Sequence, residues 1–304
     1  MSDTHDSQPN PDNADSPIKG PPKGEAVHDY FSADEIFQRV AATADEEMGR
    51  HARLMFFSGI AAGLSIGLAF FARVAITAEV PDTPLVGNLL YPLGFILIVV
   101  GRYQLFTENT LTPVTLVLTR LASLPSLLRV WGTVLVANLV GSTVLALLLA
   151  YTDIFSPAAS AVAVDFWEHA ISLSWETLFF KAVMAGWLVA SMVWLVHAAR
   201  ETISRLILVF LTMYLIPSAD LYHCIIGFCE AMYAVFLGEA ALGTAIFSFF
   251  LPVLLGNTVG GVLLVAILNF AMTEDSRFPT RDEKRLRLSW RQWVSEYHTG
   301  SPNS

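Results

Sequence analysis

The sequence predicts an all-α membrane protein of six transmembrane helices, an inverted three-plus-three repeat whose second and fifth helices are broken. Three observations predict it. Of 304 residues, 54% are hydrophobic and 15% are charged, a balance that describes an integral membrane chain rather than a soluble domain. Six apolar stretches, 54–76, 89–118, 127–151, 178–199, 203–237 and 246–272, meet the length of roughly 20 residues that crosses about 30 Å of hydrocarbon. Two of these are interrupted, by Gly-Arg-Tyr-Gln-Leu-Phe-Thr-Glu-Asn-Thr at 101–110 and by Pro-Ser-Ala-Asp-Leu-Tyr-His at 217–223. A break frees backbone N–H and C=O groups, which is tolerable only where protein or a water-filled cavity receives them. Matched breaks in two halves point to the permeation site of a channel or transporter.

The elements follow in order. Residues 1–30, rich in Pro, Asp, Ser and Asn, read as a disordered cytoplasmic tail. An amphipathic cytoplasmic helix over 31–52 starts with Ser32 as N-cap, Glu35 completing a capping box and Phe31 facing Ile36 as a hydrophobic staple. Its apolar stripe of Ile36, Phe37, Val40 and Met48 should lie along the membrane surface. The six-span domain covers 53–273, and a basic cytoplasmic segment covers 274–304. There Thr280 and Glu283 suggest a second capping box, and Leu288, Trp290 and Trp293 another interfacial helix. The polar first 50 residues give no cleavable signal peptide.

Charge sets the orientation. The loops 77–88, 152–177 and 238–245 carry acids and no Lys or Arg, whereas the opposite connections hold Arg50, Arg53, Arg120, Arg200, Arg205 and the basic C-terminal run. Both termini are therefore expected in the cytoplasm of a multi-pass membrane protein. Eleven acids against four bases in residues 1–50 supply −7 of the net −9, so the acidity describes a tail and gives no support to nucleic-acid binding. Cys224 and Cys229, at membrane depth, read as small buried hydrophobes.

The halves share Asn-x-Val-Gly, at Asn138–Gly141 in the third span and Asn257–Gly260 in the sixth, an offset of 119. Phe106-Thr107-Glu108 stands near a similar offset from Phe228-Cys229-Glu230. Three spans separate the halves, so the repeats must be inverted. Asn138, Gly141, Asn257 and Gly260 are assigned to helix packing, where small residues let backbones approach.

His223, just after the second break, is an ionisable group deep in the membrane and hence a functional candidate. Neutral imidazole offers a donor and an acceptor, and its reference pKa of about 6.5 allows proton exchange with a weak acid. Thr107 adds a hydroxyl near a half-helix N-terminus. Together they suit weak binding of a small monovalent anion, which either takes a proton and leaves as the neutral acid or crosses charged. A metal site of His223, Cys224, Cys229 and Glu230 is disfavoured, because one helix cannot turn all of them to a single ion. No cofactor, metal site or enzymatic activity is expected.

The Gly-x-x-x-Leu-Phe-Thr break, the central His after the fifth-span interruption and the Gly-Asn-x-x-Gly-Gly of the last span resemble the formate/nitrite transporter family. The likeness is strongest to its bacterial inner-membrane subgroup, which carries the same Gln-Leu-Phe-Thr-Glu-Asn-Thr string, and it covers about residues 45–275. The resemblance implies a homopentamer of aquaporin-like protomers in membrane lipid, one pore per subunit passing a small anion or weak acid, with His223 and Thr107 at the pore centre. It implies apolar constrictions at Tyr91, Phe95 and Phe106 on one side and at Val193 and Ile216 on the other. Three features depart from the family pattern: Ser174 stands where formate carriers have a Lys, Gly227 replaces a central Asn, and Arg102, Glu108 and Glu230 add ionisable groups near the breaks. Arg102 and Glu108 should pair with each other or snorkel to the cytoplasmic end. The alternatives are an aquaporin-like channel for small neutral solutes, although the Asn-Pro-Ala signature is missing, and a non-transporting sensor or scaffold.

Overall fold

The computed structural model describes residues 31–272 and 287–299. The tail 1–30 and the Thr280–Glu283 capping box lie outside those residues. Among the described residues, five helices are long and apolar enough to cross a membrane: Ala52–Glu79, Pro84–Gly101, Leu124–Tyr151, Trp175–Ala198 and Thr244–Met272. Two shorter apolar helices, Thr202–Ser218 and Cys224–Leu237, flank the second break.

In chain order, α1 is Ala33–Met48, α2 Ala52–Glu79, α3 Pro84–Gly87, α4 Leu93–Gly101 and α5 Thr112–Leu118. Then come α6 Leu124–Tyr151, α7 Pro157–Ser172, α8 Trp175–Ala198, α9 Thr202–Ser218 and α10 Cys224–Leu237. The last long helix is α-helical as α11 (Leu251–Gly261) and α12 (Leu268–Met272), with π-helical turns before and between them. A short α13, Trp290–Ser295, closes the described chain.

The two closest helix pairings are α2 with α6 and α8 with α11. Glycines make them close. A Cβ on Gly63 would stand 2.3 Å from Asn138 O, and one on Gly141 the same distance from Ile60 O. Across the other pair, a Cβ on Gly260 would stand 2.0 Å from Val183 O and one on Gly186 2.2 Å from Asn257 O. No real Cβ survives at such distances, so backbone packs on backbone. Large apolar side chains instead point outward, with Phe57, Phe180 and Phe247 about two-thirds exposed (64%, 67% and 67%).

Two elements differ from the sequence reading. The 152–177 connection, read as a loop, contains α7, N-capped by Ser156. It buries Ala159, Ala163, Trp167 and Ala170 at helical spacing. The acids Asp165 and Glu168 lie between those positions and mask the stripe in the sequence. Helix α1 carries the Ser32–Glu35 capping box. Its stripe of Ile36, Phe37, Val40, Ala44 and Met48 is buried against α5, α8 and α12 rather than laid on lipid. Phe31 meets the guanidiniums of Arg39 and Arg200, at 4.3 and 4.6 Å. The C-terminal segment docks on the same face: Trp293 Nε1 donates to Val117 O, and His298 N donates to Ser123 Oγ. We call this the terminal face and its opposite the far face.

Candidate functional site

Both breaks begin alike. Helix α4 ends at Arg102, with φ 55°, and α9 ends near Asp220, with φ 51°. After each left-handed residue the next N–H turns back onto the helix, Tyr103 N to Ile98 O at 3.1 Å and Leu221 N to Ile216 O at 2.8 Å. This is the backbone closure of a Schellman motif, built here without glycine. Asp tolerates the left-handed region, whereas Arg sits there against its preference.

One asparagine stitches each break. Asn138 Oδ1 accepts from Phe106 N (2.8 Å), while its Nδ2 donates to Gln104 O and Gly59 O (both 2.9 Å). Asn257 Oδ1 accepts from Cys224 N (2.8 Å), and its Nδ2 donates to Tyr222 O (2.9 Å) and Ala182 O (2.8 Å). Each amide thus satisfies the backbone freed by a break and fastens it to the neighbouring helix. These bonds match residues 102–106 with 220–224. The register therefore places Phe106 opposite Cys224, not opposite Phe228 as string similarity suggested.

The matched loops bring two side chains together. His223 is the N-cap of α10, its ring nitrogen Nδ1 accepting from Ile226 N at 3.4 Å. In the neutral ring the proton then belongs on Nε2, which lies 2.8 Å from Thr107 Oγ1. With Nε2 donating, the Thr107 hydroxyl hydrogen is left for another acceptor. Both residues are buried, Thr107 at 1% and His223 at 2% exposure. The Phe95 ring meets the imidazole edge-on at 5.1 Å, and Tyr91 stands against Phe95 at 6.1 Å.

Two cavities approach this pair from opposite faces, and only the far one touches it, at His223. The larger, about 410 Å³, opens on the terminal face and is lined by Gln104 and Glu108, which flank Thr107 closely, and by Ile98 and Val193. The far-face cavity, about 40 Å³, is lined by His223, Tyr91, Gly227 and Glu230. His223 borders the far cavity, and Thr107, which lines neither, lies in the partition between them. Phe95, Phe106 and Ile216 line neither cavity: Phe95 packs on His223, Phe106 on Trp131 at 5.8 Å, and Ile216 is fully buried.

The ionisable residues near the breaks find different partners. Arg102 does not pair with Glu108; it bonds Glu46 of α1 at 2.9 Å, reaching the terminal face. Glu108 lines the terminal cavity and Glu230, 6% exposed, the far one. Gly227 faces Phe249, whose ring carbon would lie 2.6 Å from an added Cβ. That contact leaves no space for a side chain there.

Several residues at the site escaped the sequence reading. Glu47 reaches from α1 into the first break, accepting from Thr112 Oγ1 (2.7 Å) and Gln104 Nε2 (3.1 Å). Burial pushes its carboxyl above the usual range, while Glu46 beside it is held below that range, chiefly by its hydrogen bond from Arg50. On the far face Lys181 Nζ bonds Asp220 Oδ2 (2.6 Å), and Arg73 bonds Asn88 and covers Phe166. Both bases sit inside stretches read as spans, so hydropathy hid them. Ser174 caps α8 by accepting from Thr177 N. Cys229 Sγ contacts Ser142 O, and among the described residues no cluster of three or more His, Cys, Asp or Glu is placed to hold a metal ion.

Comparison with known proteins gives this geometry a context. The family model for formate/nitrite transporters matches residues 34–271. The inner membrane protein YfdC of Escherichia coli (strain K12) is 32% identical over 256 residues, 83% of this chain and 79% of that one. The formate channel FocA of Haemophilus influenzae is 25% identical over 259 residues, 76% and 91% of the respective chains. A solved pentameric formate channel with formate bound superposes with a TM-score of 0.65 at 25% identity, covering 73% of this chain and 97% of its own. The extent of the family match, taken with the identity to YfdC, shows that this chain belongs to the formate/nitrite transporter family.

Proposed function

We propose that the protein is a membrane channel or transporter that passes a small monovalent anion, or its weak acid, through a pore within each protomer. The observation that carries this reading is the Thr107–His223 pair, buried between cavities that open on opposite faces. A solute entering the terminal cavity sheds water beside Ile98 and Val193. It then meets the Thr107 hydroxyl and, behind it, an imidazole that can exchange a proton through Nε2. Phe95 holds the ring on its other side. Neutral hydrogen-bond donors bind an anion weakly enough for it to leave, as conduction requires.

The finer architecture belongs to the same reading. Counting α3–α5 and α9–α10 each as one broken span gives six spans and two halves of opposite sense, an aquaporin-like protomer. The arginine-rich connections support a cytoplasmic terminal face. The pentameric formate channel that this chain superposes on supports a homopentamer, and the exposed apolar outer surface gives it lipid and subunit contacts. Tyr91 and Val193 serve as gates at the two mouths, with Phe95 at the partition.

The test is flux in proteoliposomes of the full chain, with formate, acetate and nitrite, at pH values either side of the reference imidazole pKa of about 6.5. Wild-type protein should pass at least one of these solutes, and His223→Ala should lose most of that flux. Undiminished flux in the variant refutes the assignment.

A further inference from the structure

The terminal cavity is electrically divided. At one end, beside the first break, Glu47 and Glu108 line it, and Arg50 and Arg102 are both tied to Glu46 at 2.8 and 2.9 Å. At the other end stand Arg39 of α1, Arg205 of α9 and His197 of α8. Both guanidiniums lie within Coulombic reach of the His197 ring. The imidazole is held by Val193 O at Nδ1 (2.8 Å) and by Thr43 at Nε2 (3.0 Å). With the proton on Nδ1, Thr43 donates to Nε2 and the ring stays neutral.

Neither arginine has an acid partner in an ion pair among the described residues. Arg205 Nε and Nη2 donate to Ala199 O, leaving the rest of its fork unpaired in side-chain contacts. Arg39 has a buried Nε with no hydrogen-bond partner. A native structure seldom leaves a buried donor unmade, and an orphan of this kind calls for an explanation. Two uncompensated guanidiniums at one end of a cavity of about 410 Å³ supply one. The planar fork of arginine matches carboxylate and phosphate oxygens, and the space exceeds what a lone formate would fill.

We infer that this corner is an oxyanion site distinct from the pore-centre pair, in which a carboxylate or phosphate bridges Arg39 of α1 and Arg205 of α9. Its occupant closes the charge imbalance, takes the orphaned Nε–H and joins α1 to the membrane helices through a ligand. The site does not depend on Thr107 or His223, so it stands whether or not the pore reading does.

The experiment is equilibrium binding of inorganic phosphate to the detergent-solubilised full chain, at constant ionic strength in chloride, with formate as competitor. Saturable phosphate binding is expected, weakened at least tenfold in Arg39→Gln and in Arg205→Gln. Arg39→Lys should bind more tightly than Arg39→Gln, which separates loss of charge from misfolding of α1. Thr107→Val should bind as the wild type does, placing the site away from the pore centre. Formate displacing phosphate from Thr107→Val assigns the site to a carboxylate solute; failure to displace assigns it to a phosphate-bearing effector, and both outcomes sustain it. Absence of saturable binding overturns the inference, as does binding that both glutamine variants leave unchanged.

Discussion

Thr107 Oγ1 stands 2.8 Å from His223 Nε2, although 116 residues separate them in the chain. Each arrives from a different break, and each break is pinned by an asparagine of another helix. Removing the hydroxyl while keeping the shape should show what the pair does. Thr107→Val is expected to fold but to lose about 1–3 kcal/mol of stability, because the buried Nε2–H of His223 is left without its acceptor. Its solute flux in proteoliposomes should fall at least tenfold. A valine variant that conducts like the wild type would remove the hydroxyl from the mechanism.

The asparagines carry a larger structural share. Asn138→Leu deprives Phe106 N, Gln104 O and Gly59 O of their partner at once. Orphaned buried groups cost about 1–3 kcal/mol each, so the loss from three should be on the order of 3–9 kcal/mol. Asn257→Leu should behave in the same way at the second break. Thermal unfolding in detergent checks both, and a change within experimental scatter would show that water replaces the amide.

Helix packing is equally unforgiving at Gly260. Its added Cβ would meet Val183 O at 2.0 Å, a backbone atom that cannot rotate aside. Gly260→Ala should force α8 and α11 apart and cost about 1–3 kcal/mol or more. Gly132, which has open space around it, is the matched control, because nothing lies within 4 Å of its added Cβ. Comparing the melting temperatures of the two alanine variants tests the contact.

Neighbouring acids on α1 respond to pH in opposite senses. Burial raises Glu47 in the folded protein, so its contribution to α1 docking is fully present below the ordinary carboxylate pKa and is lost as pH rises through the raised value. Glu46 is lowered by Arg50 and Arg102, so its contribution is present above the ordinary value and is lost as pH falls through the lowered one. Glu46 is half exposed, and solvent screens its effect. Amide hydrogen-exchange protection factors across α1, with the intrinsic pH dependence of exchange divided out, should therefore fall on going from mildly acidic to alkaline buffer, and Glu47→Gln should flatten that trend. An unchanged slope in the variant would mean that another group controls the docking.

The sequence by itself determined the membrane class and the two interruptions, and it marked His223 and Thr107 as candidates. Those features are written in local composition: an apolar run has to stop where polar residues and Pro217 intrude, and an imidazole at that depth is costly enough to mark itself. It also marked Asn138 and Asn257 through their shared motif. String matching, however, paired Phe106 with Phe228, whereas the hydrogen bonds pair Phe106 with Cys224. Register is a property of backbone closure, and side-chain spelling does not record it.

Only the tertiary structure decided how α1 sits, which partner Arg102 takes and where Lys181 and Arg73 emerge. Helix α1 has the same amphipathic stripe whether it lies on lipid or on protein, so its periodicity alone could not choose. Arg102 has acids near in sequence and near in space, and the left-handed turn at its own backbone carries it to Glu46 rather than Glu108. Hydropathy averages over windows longer than one side chain and hides a single base at a helix end. Distances between remote residues arise from packing, and packing is the sum of many weak contacts that no short motif encodes.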